Sequence, residues 1–513
     1  MAKLFDFILL DRFKRWFTPA DEQTAYQDKK GGTDHVFLLR CMMQYAKRFK
    51  KKLFVISIDF DGAFDRVSRA HLIRKLCAFG AGKIFSACIA SIYTCTENII
   101  FRGGSYVIYK LYSGIKQGLP SSPIFFLFYI KDVFEFLGSI YDGARDVFDI
   151  IHILIHADDA TIIATCRESA VRKLKSMLEY CNANDIIPQY TKCEFFVVNG
   201  TVEDRVTIPF GDHKLVHKNH SVLLGSHLTS SASLIDEIKL HMDLRYKSVI
   251  KFYNFIRSNK LAPLSVKLKV LRACVVNSLL HNCEDFGYIV PRDLESTYMK
   301  LIKCCLNIRT NVPNDIVFIE SGLLPLKAVI LVRQFKFYKE RFFETVKKNS
   351  RRDRMLNMLL QNQNRTRYIQ HYEDLVTRYE SKKDIVNEYR NLLKQRIYAK
   401  ANTGHYKYYI YTRINPELTT SPFLDVLHPI VGDVLKFRLG SHYLPIETGR
   451  WSGRPRHERL CDNCNEIGDE DHVIYRCSLI DREDLNLDAD LGLIWNTPDI
   501  YELLKKIRAK KLV

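Results

Sequence analysis

The sequence lacks the features that would place it in a membrane or in an oxidising compartment. No apolar run approaches the roughly 20 residues that a helix needs to cross a bilayer. The N-terminal apolar patch is cut by Asp6 and Asp11, which favours an amphipathic helix over a secretory signal. The 14 cysteines mostly stand alone within apolar segments, as Cys77 and Cys274 do. We therefore expect no membrane partner and no disulfide scaffold, and we predict a reduced intracellular protein.

Acidic residues are in deficit. The 513-residue chain has 77 Lys and Arg against 58 Asp and Glu, a formal net charge of +19, and its hydrophobic content is 47%. That content is ordinary for a globular protein, and the length predicts about two to four domains. A long chain this basic is expected to bind a polyanion, nucleic acid before membrane; a merely soluble basic surface is the alternative.

The chain is organised around a pair of acid-tipped β segments. In Ile151–Cys166, period-two alternation of apolar residues flanks Asp158-Asp159 on both sides, which predicts a β-hairpin with two carboxylates at its tip. Upstream, Leu53–Asp65 begins as a second apolar strand that leads to Asp59. Carboxylates at one sheet edge suit Mg²⁺, which prefers oxygen ligands. Two such ions about 4 Å apart would clamp the attacking and leaving oxygens of a phosphoryl transfer.

Two glycine-containing stretches are candidate substrate contacts. Lys29–Gly32 reads KKGG and could hold phosphate on backbone N–H groups beside two ammonium groups, although a solvated turn explains the same residues. Ser113–Phe128 runs from a polar loop into a strongly apolar helix, with Pro123 in the first turn. Such a loop can place Gln117 and the Gly118 backbone against a flat substrate; a purely structural loop is the alternative.

The second half of the chain reads as mainly helical and basic. The clearest basic cluster, KKNSRRDR, spans Lys347–Arg354. It is either a nucleic-acid contact or part of a solvated helical linker, and the net charge of the chain favours the contact.

The C-terminal region contains residues spaced as in a zinc site, Cys461-x2-Cys464-x7-His472-x4-Cys477. Three thiolates and one imidazole make a tetrahedral structural site for Zn²⁺. Chance spacing is the alternative in a chain with 14 cysteines, but the other close pair is only Cys304-Cys305. Four arginines between residues 450 and 459 would suit contact of this region with RNA or DNA.

In combination these motifs resemble the conserved blocks of reverse transcriptases, and their order and spacing resemble those of non-LTR (LINE-type) retrotransposons. The matching segments are Gln23–Leu38 before the first catalytic block, Asp59–Asp65 as that block, Ser113–Pro123 as the G-x-x-Q-G-x-P-x-S-P block, Ala157–Asp159 as the x-A-D-D block, Lys192 as the following lysine, Leu224-Gly225 as the primer grip, and Phe437–Cys477 as the C-terminal segment with its C-C-H-C knuckle. The resemblance covers nearly the whole chain.

The resemblance implies an α+β fold. This is a right-hand polymerase of fingers, palm and thumb with an antiparallel palm sheet, followed by a helical basic region and a small zinc-knuckle domain. The expected boundaries are partial fingers at 1–50, a palm with a fingers insertion at 51–230, a thumb at 231–330, a basic helical linker at 331–430, and the zinc-knuckle domain at 431–513. The family's earliest finger block and its endonuclease domain have no counterpart in the sequence, so an N-terminally truncated protein is expected.

The implied activity is RNA-directed DNA synthesis by two-metal phosphoryl transfer, primed from a nicked chromosomal 3′-OH. The implied partners are an RNA template, a DNA primer or target, and deoxynucleoside triphosphates. The implied cofactors are two catalytic Mg²⁺ ions, for which Mn²⁺ can substitute, and a structural Zn²⁺. The implied location is the nucleus or a cytoplasmic ribonucleoprotein. The alternatives are a catalytically impaired remnant that only binds nucleic acid and a polymerase-like maturase, which the knuckle disfavours.

The resemblance also assigns roles at the reaction centre. Asp59 and Asp158 would hold the two metals, with the Phe60 carbonyl assisting. Asp159 would be the secondary acid. Lys192 would protonate or stabilise the leaving pyrophosphate.

Further roles concern the incoming nucleotide. Phe64 would be a steric gate whose ring fills the space that a ribose 2′-OH needs. Gln117 and Gly118 would pack on the template–nucleotide pair, and Lys30 would contact the triphosphate. His156 stands where the family usually has Tyr or Phe, and it is expected to be a packed strand residue.

Overall fold

The structure, a computed structural model, describes residues 2–94, 96–138, 146–343, 350–428, 430–487, 490–496 and 499–510. The strands are β1 (Leu53–Ile58), β2 (Glu97–Arg102), β3 (Ser105–Lys110), β4 (Ile153–His156), β5 (Asp159–Ala164), β6 (Glu194–Val198), β7 (Ile208–Phe210), β8 (His213–His217), β9 (His220–Leu223) and β10 (Ser226–Thr229). The helices of the first half are α1 (Ala2–Trp16), α2 (Gly32–Phe49), α3 (Arg69–Ala78), α4 (Lys83–Tyr93), α5 (Ser122–Tyr129), α6 (Val133–Gly138), α7 (Arg167–Ala183) and α8 (Leu234–Ser258).

The remaining helices follow without an intervening strand in the described residues. They are α9 (Leu264–Val270), α10 (Asn277–Leu279), α11 (Arg292–Leu306), α12 (Asn314–Ser321), α13 (Leu326–Tyr338), α14 (Arg351–Leu360), α15 (Arg367–Arg378), α16 (Lys382–Asn402), α17 (Tyr406–Ile414), α18 (Val431–Arg438), α19 (Pro445–Trp451) and α20 (Asp499–Ala509). The helical second half is therefore confirmed, and it continues beyond residue 400. None of the described helices is both long and apolar enough to span a membrane.

The chain divides into two compact units. The first contains Met1–Leu240, Asn282–Ile289 and Gln334–Arg378, and the second contains His241–His281, Val290–Arg333 and Tyr379–Val513. Three separate stretches of chain thus build each unit. The finer five-part division stays a prediction.

The first unit is built on a six-stranded sheet with the order β4-β5-β1-β6-β8-β7. All its pairs are antiparallel except β6–β8. Strand β1 is buried on both faces: Phe54 and Ile56 belong to one core cluster, whereas Leu53 and Val55 belong to another. Burial on both faces explains why five of the six residues of β1 are apolar, where a strand with one solvent-exposed face would alternate with polar residues. The expected α+β fold with a mainly antiparallel sheet is confirmed.

The basic cluster at Lys347–Arg354 is partly used inside the first unit. Arg351 forms an ion pair with Glu22 at 3.1 Å, and Arg352, which is buried, lies 3.6 Å from Asp34. These two arginines therefore stabilise packing within the first unit and are not free to contact nucleic acid. Residues 347–349 of the cluster lie outside the described residues.

The second unit has a buried ionic centre among its helices. Arg438 of α18 donates through Nε to Glu320 Oε1 of α12 at 2.8 Å, and the Tyr411 hydroxyl of α17 donates to Glu320 Oε2 at 2.8 Å. Because a buried carboxylate is tolerated only when it is paired and hydrogen-bonded, this cluster specifies how these three helices pack.

Candidate active site

Three carboxylates meet at one end of the central sheet. Ile58, the last residue of β1, pairs with Ala160 of β5. Asp59 follows β1 directly and Asp159 begins β5, so the register brings these two side chains together. Asp158 lies in the two-residue turn that joins β4 to β5, where His156 pairs with Asp159. The predicted hairpin with two acids at its tip is therefore confirmed.

The turn of this hairpin is conformationally unusual. Ala157 has a φ of +56°, a left-handed conformation that costs a non-glycine residue on the order of 1 kcal/mol or more. His156 is half-buried, and its Nδ1 lies 3.0 Å from the Thr24 hydroxyl. The Thr24 backbone N–H also donates to the Ile155 carbonyl at 2.8 Å. His156 is thus a hydrogen-bonded strand residue, and the segment around Thr24 supports the hairpin from its edge.

The carboxylates create a strongly negative site. The pKa of Asp159 is raised to about 6, first by burial and then by the charges of Asp158 and Asp59. The Lys192 ammonium lies 3.0 Å from Asp59 Oδ2, and this hydrogen bond raises the pKa of Lys192. The lysine ammonium therefore supplies a positive charge beside Asp59, at a position that a metal ion could take. The carboxylate oxygens of the three aspartates are hard ligands with excess negative charge, and such a set fits divalent metal ions such as Mg²⁺.

The predicted steric gate is held by other aromatic rings. Phe64 stacks on Phe126 of α5, with ring centroids 4.6 Å apart and planes 22° apart. Tyr26 meets Phe64 edge-on at 6.4 Å, and the charge of Asp158 contributes, after burial, to raising the pKa of Tyr26. Phe64 therefore has a fixed position, and Tyr26, which sequence reasoning missed, contacts it within range of the Asp158 charge. Phe60 is buried and forms a β-bridge with Pro188.

The glycine-containing loop after β3 packs against the turn that carries Phe64. The Ile115 N–H donates to the Phe64 carbonyl at 3.0 Å, and Gln117 Nε2 donates to Asp65 Oδ1 at 3.0 Å. Gly114 has a φ of +80°, and a Cβ there would lie 2.6 Å from the Asp65 carbonyl oxygen. Only glycine permits this close approach. Gln117 and Gly118 are both exposed, as a substrate-contacting pair must be.

A buried acid fixes the far end of this loop. Asp6 of α1 accepts a hydrogen bond from the Ser121 backbone N–H at 2.9 Å and a second one from the Ser121 hydroxyl. Asp6 is fully buried. An acid within the apolar stripe of an amphipathic helix was the available sequence signal, but its partner is 115 residues away.

Lys30 is less available than predicted. Its side chain is 13% exposed and forms an ion pair with Asp21 at 3.1 Å, and burial lowers its pKa. A triphosphate contact by Lys30 would require this pair to open, and that role stays a prediction.

The hairpin β9–β10, which carries the candidate primer grip, turns through Leu224 and Gly225. Both residues have positive φ angles, of 49° and 79°, as in a type I′ turn. Asn282 holds the turn through a hydrogen bond from Nδ2 to the Leu224 carbonyl at 3.0 Å. Sequence reasoning missed this support because Asn282 lies 58 residues away.

Strand β10 is fixed by a buried ionic triad. Arg40 of α2 donates to Asp285 at 3.1 and 3.0 Å and also pairs with Glu237. Glu237 Oε1 accepts from the Thr229 N–H at 2.9 Å. All three charged groups are at most 3% exposed. The triad links α2, α8 and the end of β10.

The predicted zinc ligands converge. Their four ligand atoms lie within 4.8 Å of one another, and the Cys477 sulfur is 3.8 Å from that of Cys461 and 3.9 Å from that of Cys464. His472 Nε2 is buried, with no hydrogen-bond partner among the described residues, while Nδ1 lies 3.1 Å from Glu466 Oε2. A carboxylate that orients an imidazole in this way is common in zinc sites, so these residues fit Zn²⁺.

Arg482 supports the knuckle from outside the ligand set. It donates to the carbonyls of Val473, Ile474, Cys477 and Ile480 at 2.6–2.7 Å. These carbonyls flank two of the candidate ligands, and those of Val473 and Ile474 lie in a π-helical turn at His472–Arg476. No local sequence pattern identifies this arginine.

Comparison with known proteins identifies the domain that contains the carboxylates. Residues 3–228 match the family model described as reverse transcriptase (RNA-dependent DNA polymerase). Residues 3–228 are thus similar to reverse transcriptases. This match and the mainly antiparallel sheet fit the right-hand polymerase fold expected from the sequence, and the assignment of individual strands to a palm stays a prediction.

Two relatives are Pol polyproteins of retrotransposable elements. The Retrovirus-related Pol polyprotein from type-1 retrotransposable element R2 of Bradysia coprophila is 28% identical over 162 residues, which is 31% of this chain and 18% of that protein. The one from type-2 retrotransposable element R2DM of Drosophila melanogaster is 24% identical over 209 residues, covering 40% and 20%. The matched part of the chain thus spans about a fifth of each relative. The structure of apo telomerase from Candida tropicalis aligns with 72% of this chain and with 60% of the telomerase chain, at 12% identity and a TM-score of 0.32.

Proposed function

We propose that this protein is an RNA-directed DNA polymerase of a LINE-type retroelement, which extends a DNA 3′-OH on an RNA template. The observation that carries the proposal is the meeting of Asp59, Asp158 and Asp159 at one sheet edge inside a reverse transcriptase domain. Burial, and after it the charges of Asp158 and Asp59, raises the pKa of Asp159, and such a cluster of carboxylates is a donor set that divalent cations favour.

Asp59 and Asp158, with the Phe60 carbonyl, would hold two Mg²⁺ ions, or Mn²⁺ in their place. When bound, such ions lower the pKa of the primer hydroxyl and neutralise charge on the transferring phosphoryl group. Asp159 adds negative charge beside them. Lys192 is protonated at neutral pH and 63% exposed, so it can leave Asp59 and stabilise the pyrophosphate that departs.

The other side chains select and position the deoxynucleoside triphosphate. Phe64 cannot rotate away without losing its stack on Phe126, and so it would exclude a ribose 2′-OH. Gln117, fixed by Asp65, and the Gly118 backbone would pack on the template–nucleotide pair. Lys30 would contact the triphosphate once released from Asp21.

The C-terminal knuckle would hold a structural Zn²⁺ on Cys461, Cys464, His472 and Cys477. It would order the last part of the chain, where the exposed Arg454 and Arg456 would contact RNA or DNA. Arg450 instead pairs with Glu447, and Arg459 donates to backbone carbonyls. We further propose that the protein acts in the nucleus or in a cytoplasmic ribonucleoprotein, where template RNA and chromosomal DNA primer are found.

The test is primer extension on an RNA template with Mg²⁺ and deoxynucleoside triphosphates, using the full chain and Asp158→Asn as the control. We expect DNA product from the parent protein alone, with RNA binding by the variant within a few fold of the parent. If the parent gives no product but binds RNA tightly and in a salt-sensitive manner, the protein is a remnant that binds without copying. Equal loss of binding and synthesis in Asp158→Asn would contradict the assigned role of Asp158.

A further inference from the structure

An arginine fits into the corner between two aromatic rings in the second unit. The Arg309 guanidinium carbon lies 4.1 Å from the Tyr443 ring centroid and 4.0 Å from that of Trp451. The two rings are 6.0 Å apart and nearly perpendicular, at 83°. Arg309 is anchored in turn, because its Nη1 donates to the His442 carbonyl at 3.0 Å. We call Arg309, Tyr443 and Trp451 the aromatic clamp.

Both rings of the aromatic clamp are open to solvent. Tyr443 is 51% exposed and Trp451 is 47% exposed, whereas Trp495 in the same unit is 3% exposed. Large aromatic residues bury most of their surface when their role is packing alone. Because Arg309 fixes the rings, a flat ligand can stack on them without paying the entropy of ordering two side chains.

The surroundings of the aromatic clamp favour an anion. The segment that follows Trp451 is exposed throughout Ser452–Glu458 and contains Arg454 and Arg456. Among the described residues no ion pair engages Arg454. Arg456 lies over the Tyr406 ring at 4.6 Å and is 3.6 Å from Asp469. Exposed aromatic faces beside arginines are the combination with which proteins bind single-stranded nucleic acid.

The aromatic clamp is continuous with the zinc knuckle. The N–H of Ile446, in the helix that ends at Trp451, donates to the Gly468 carbonyl at 3.0 Å. Arg459 Nη1 donates back to the Ile446 carbonyl at 3.1 Å. Residues 459 and 468 flank the Cys461–Cys464 turn, so the knuckle fixes the helix that presents the tryptophan.

We propose that the aromatic clamp binds an unpaired nucleobase of a single-stranded nucleic acid. The base stacks on Trp451 and Tyr443, and Arg454 contacts the adjacent phosphate. A duplex does not fit this chemistry, because its base faces are already stacked on one another. RNA and DNA single strands offer the same stacking and phosphate groups. The inference rests on the proposed function only for the class of partner, and it does not involve the catalytic carboxylates.

Tryptophan fluorescence tests the proposal in the full chain. A Trp16→Phe background removes the exposed tryptophan of the first unit and leaves Trp451 as the solvent-accessible reporter beside buried Trp495. The ligands are single-stranded oligo(U) and oligo(dT) of about 12 nucleotides, and a blunt DNA duplex of equal length. We expect the single strands to quench the fluorescence and the duplex to quench it far less. Stronger quenching by oligo(U) assigns the base to RNA, and the reverse assigns it to DNA.

Variants in the same background separate stacking from general charge. Tyr443→Ala should raise the dissociation constant read from Trp451 quenching about five- to a hundredfold. Arg454→Ala should reduce the salt dependence of binding by about one phosphate contact. The matched control is Tyr409→Ala, which removes an aromatic ring of similar exposure, 47%, in the same unit.

Three results would overturn the proposal: no quenching by single strands, equal quenching by the duplex, or equal effects of Tyr443→Ala and Tyr409→Ala. Zinc content and circular dichroism identify a variant that has simply unfolded. Primer extension on a short template keeps the two proposals apart. If the protein extends the primer but single strands do not quench its fluorescence, the base-binding proposal is wrong and the polymerase proposal is supported. If single strands quench the fluorescence but no primer is extended, the base-binding proposal is supported and the polymerase proposal is wrong.

Discussion

The burial of Asp159 and its repulsion by Asp158 and Asp59 should make the metal-free protein less stable than it could be. Asp159→Asn removes one charge while keeping the size of the side chain. The pKa of Asp159 rises from an ordinary 3.8 to about 6, and each pKa unit corresponds to about 1.4 kcal/mol. The full conversion is about 3 kcal/mol, but because the side chain is only half-buried, solvent screening reduces the expected gain to about 1–2 kcal/mol.

The sign of this effect depends on pH. Because the folded-state pKa lies above the unfolded one, the ionised form of Asp159 disfavours folding. The gain from Asp159→Asn should be absent below about pH 4, where both states are protonated. It should grow between about pH 4 and pH 6 and stay constant above. Mg²⁺ should stabilise the parent more than the variant at pH 8, since three carboxylates attract a dication more strongly than two.

Differential scanning calorimetry in EDTA, at several pH values between 4 and 8, measures the effect. A gain of 1–2 kcal/mol corresponds to an increase in melting temperature of about 2–5 °C for a unit of this size. Asp28→Asn, at an exposed position in the same unit, is the matched control and should change little. An Asp159→Asn variant that melts with the parent at pH 8, or a difference that does not vary with pH, would refute the reasoning.

Three further predictions follow from other parts of the structure. Phe64→Ala should raise the relative kcat/KM for ribonucleotides by about ten- to a hundredfold, since it opens the space beside the sugar; unchanged sugar discrimination in single-nucleotide extension would contradict the gate. Cys461→Ser should lose the bound Zn²⁺ and lower the melting temperature of the second unit, as measured by metal analysis and calorimetry; zinc-free parent protein with unaltered melting would argue against the knuckle. Arg40→Met should destabilise the first unit by about 3–5 kcal/mol, because it removes the cation that neutralises two buried acids. Adding Glu237→Gln and Asp285→Asn should recover much of that loss in urea unfolding, and a single variant as stable as the parent would exclude the triad as a stabilising feature.

Local patterns were sufficient for the acid-tipped hairpin and for the Cys/His cluster of the knuckle. Side chains alternate between the two faces of a strand, so the apolar residues around Asp158-Asp159 predict both the strands and the position of the acids. The Cys/His cluster could also be predicted from local sequence, because Cys461 to Cys477 form one short segment. The polar loop that runs into an apolar helix with Pro123 in its first turn was likewise predicted from local sequence, and α5 begins at Ser122.

Interactions between distant residues were not predictable in this way. Asp6 and Ser121 are 115 residues apart, and Arg40 and Asp285 are 245 apart. In each pair the sequence shows a charged or polar residue in an apolar setting but does not identify its partner. The basic residues near 351 show the same limit, because a run of arginines does not reveal that Arg351 and Arg352 pair with acids near the N-terminus.

The sequence by itself determined the acid-tipped strands, the mainly helical second half, the Cys/His cluster of the knuckle and the reverse transcriptase resemblance. These features depend on periodicity and short spacing, which are local properties of the chain. The tertiary structure decided which charges are neutralised, that Lys192 rests on Asp59, that Lys30 is paired with Asp21, and that Arg309 separates two exposed rings. Burial and charge pairing depend on which distant segments come together, and that is settled only when the whole chain has folded.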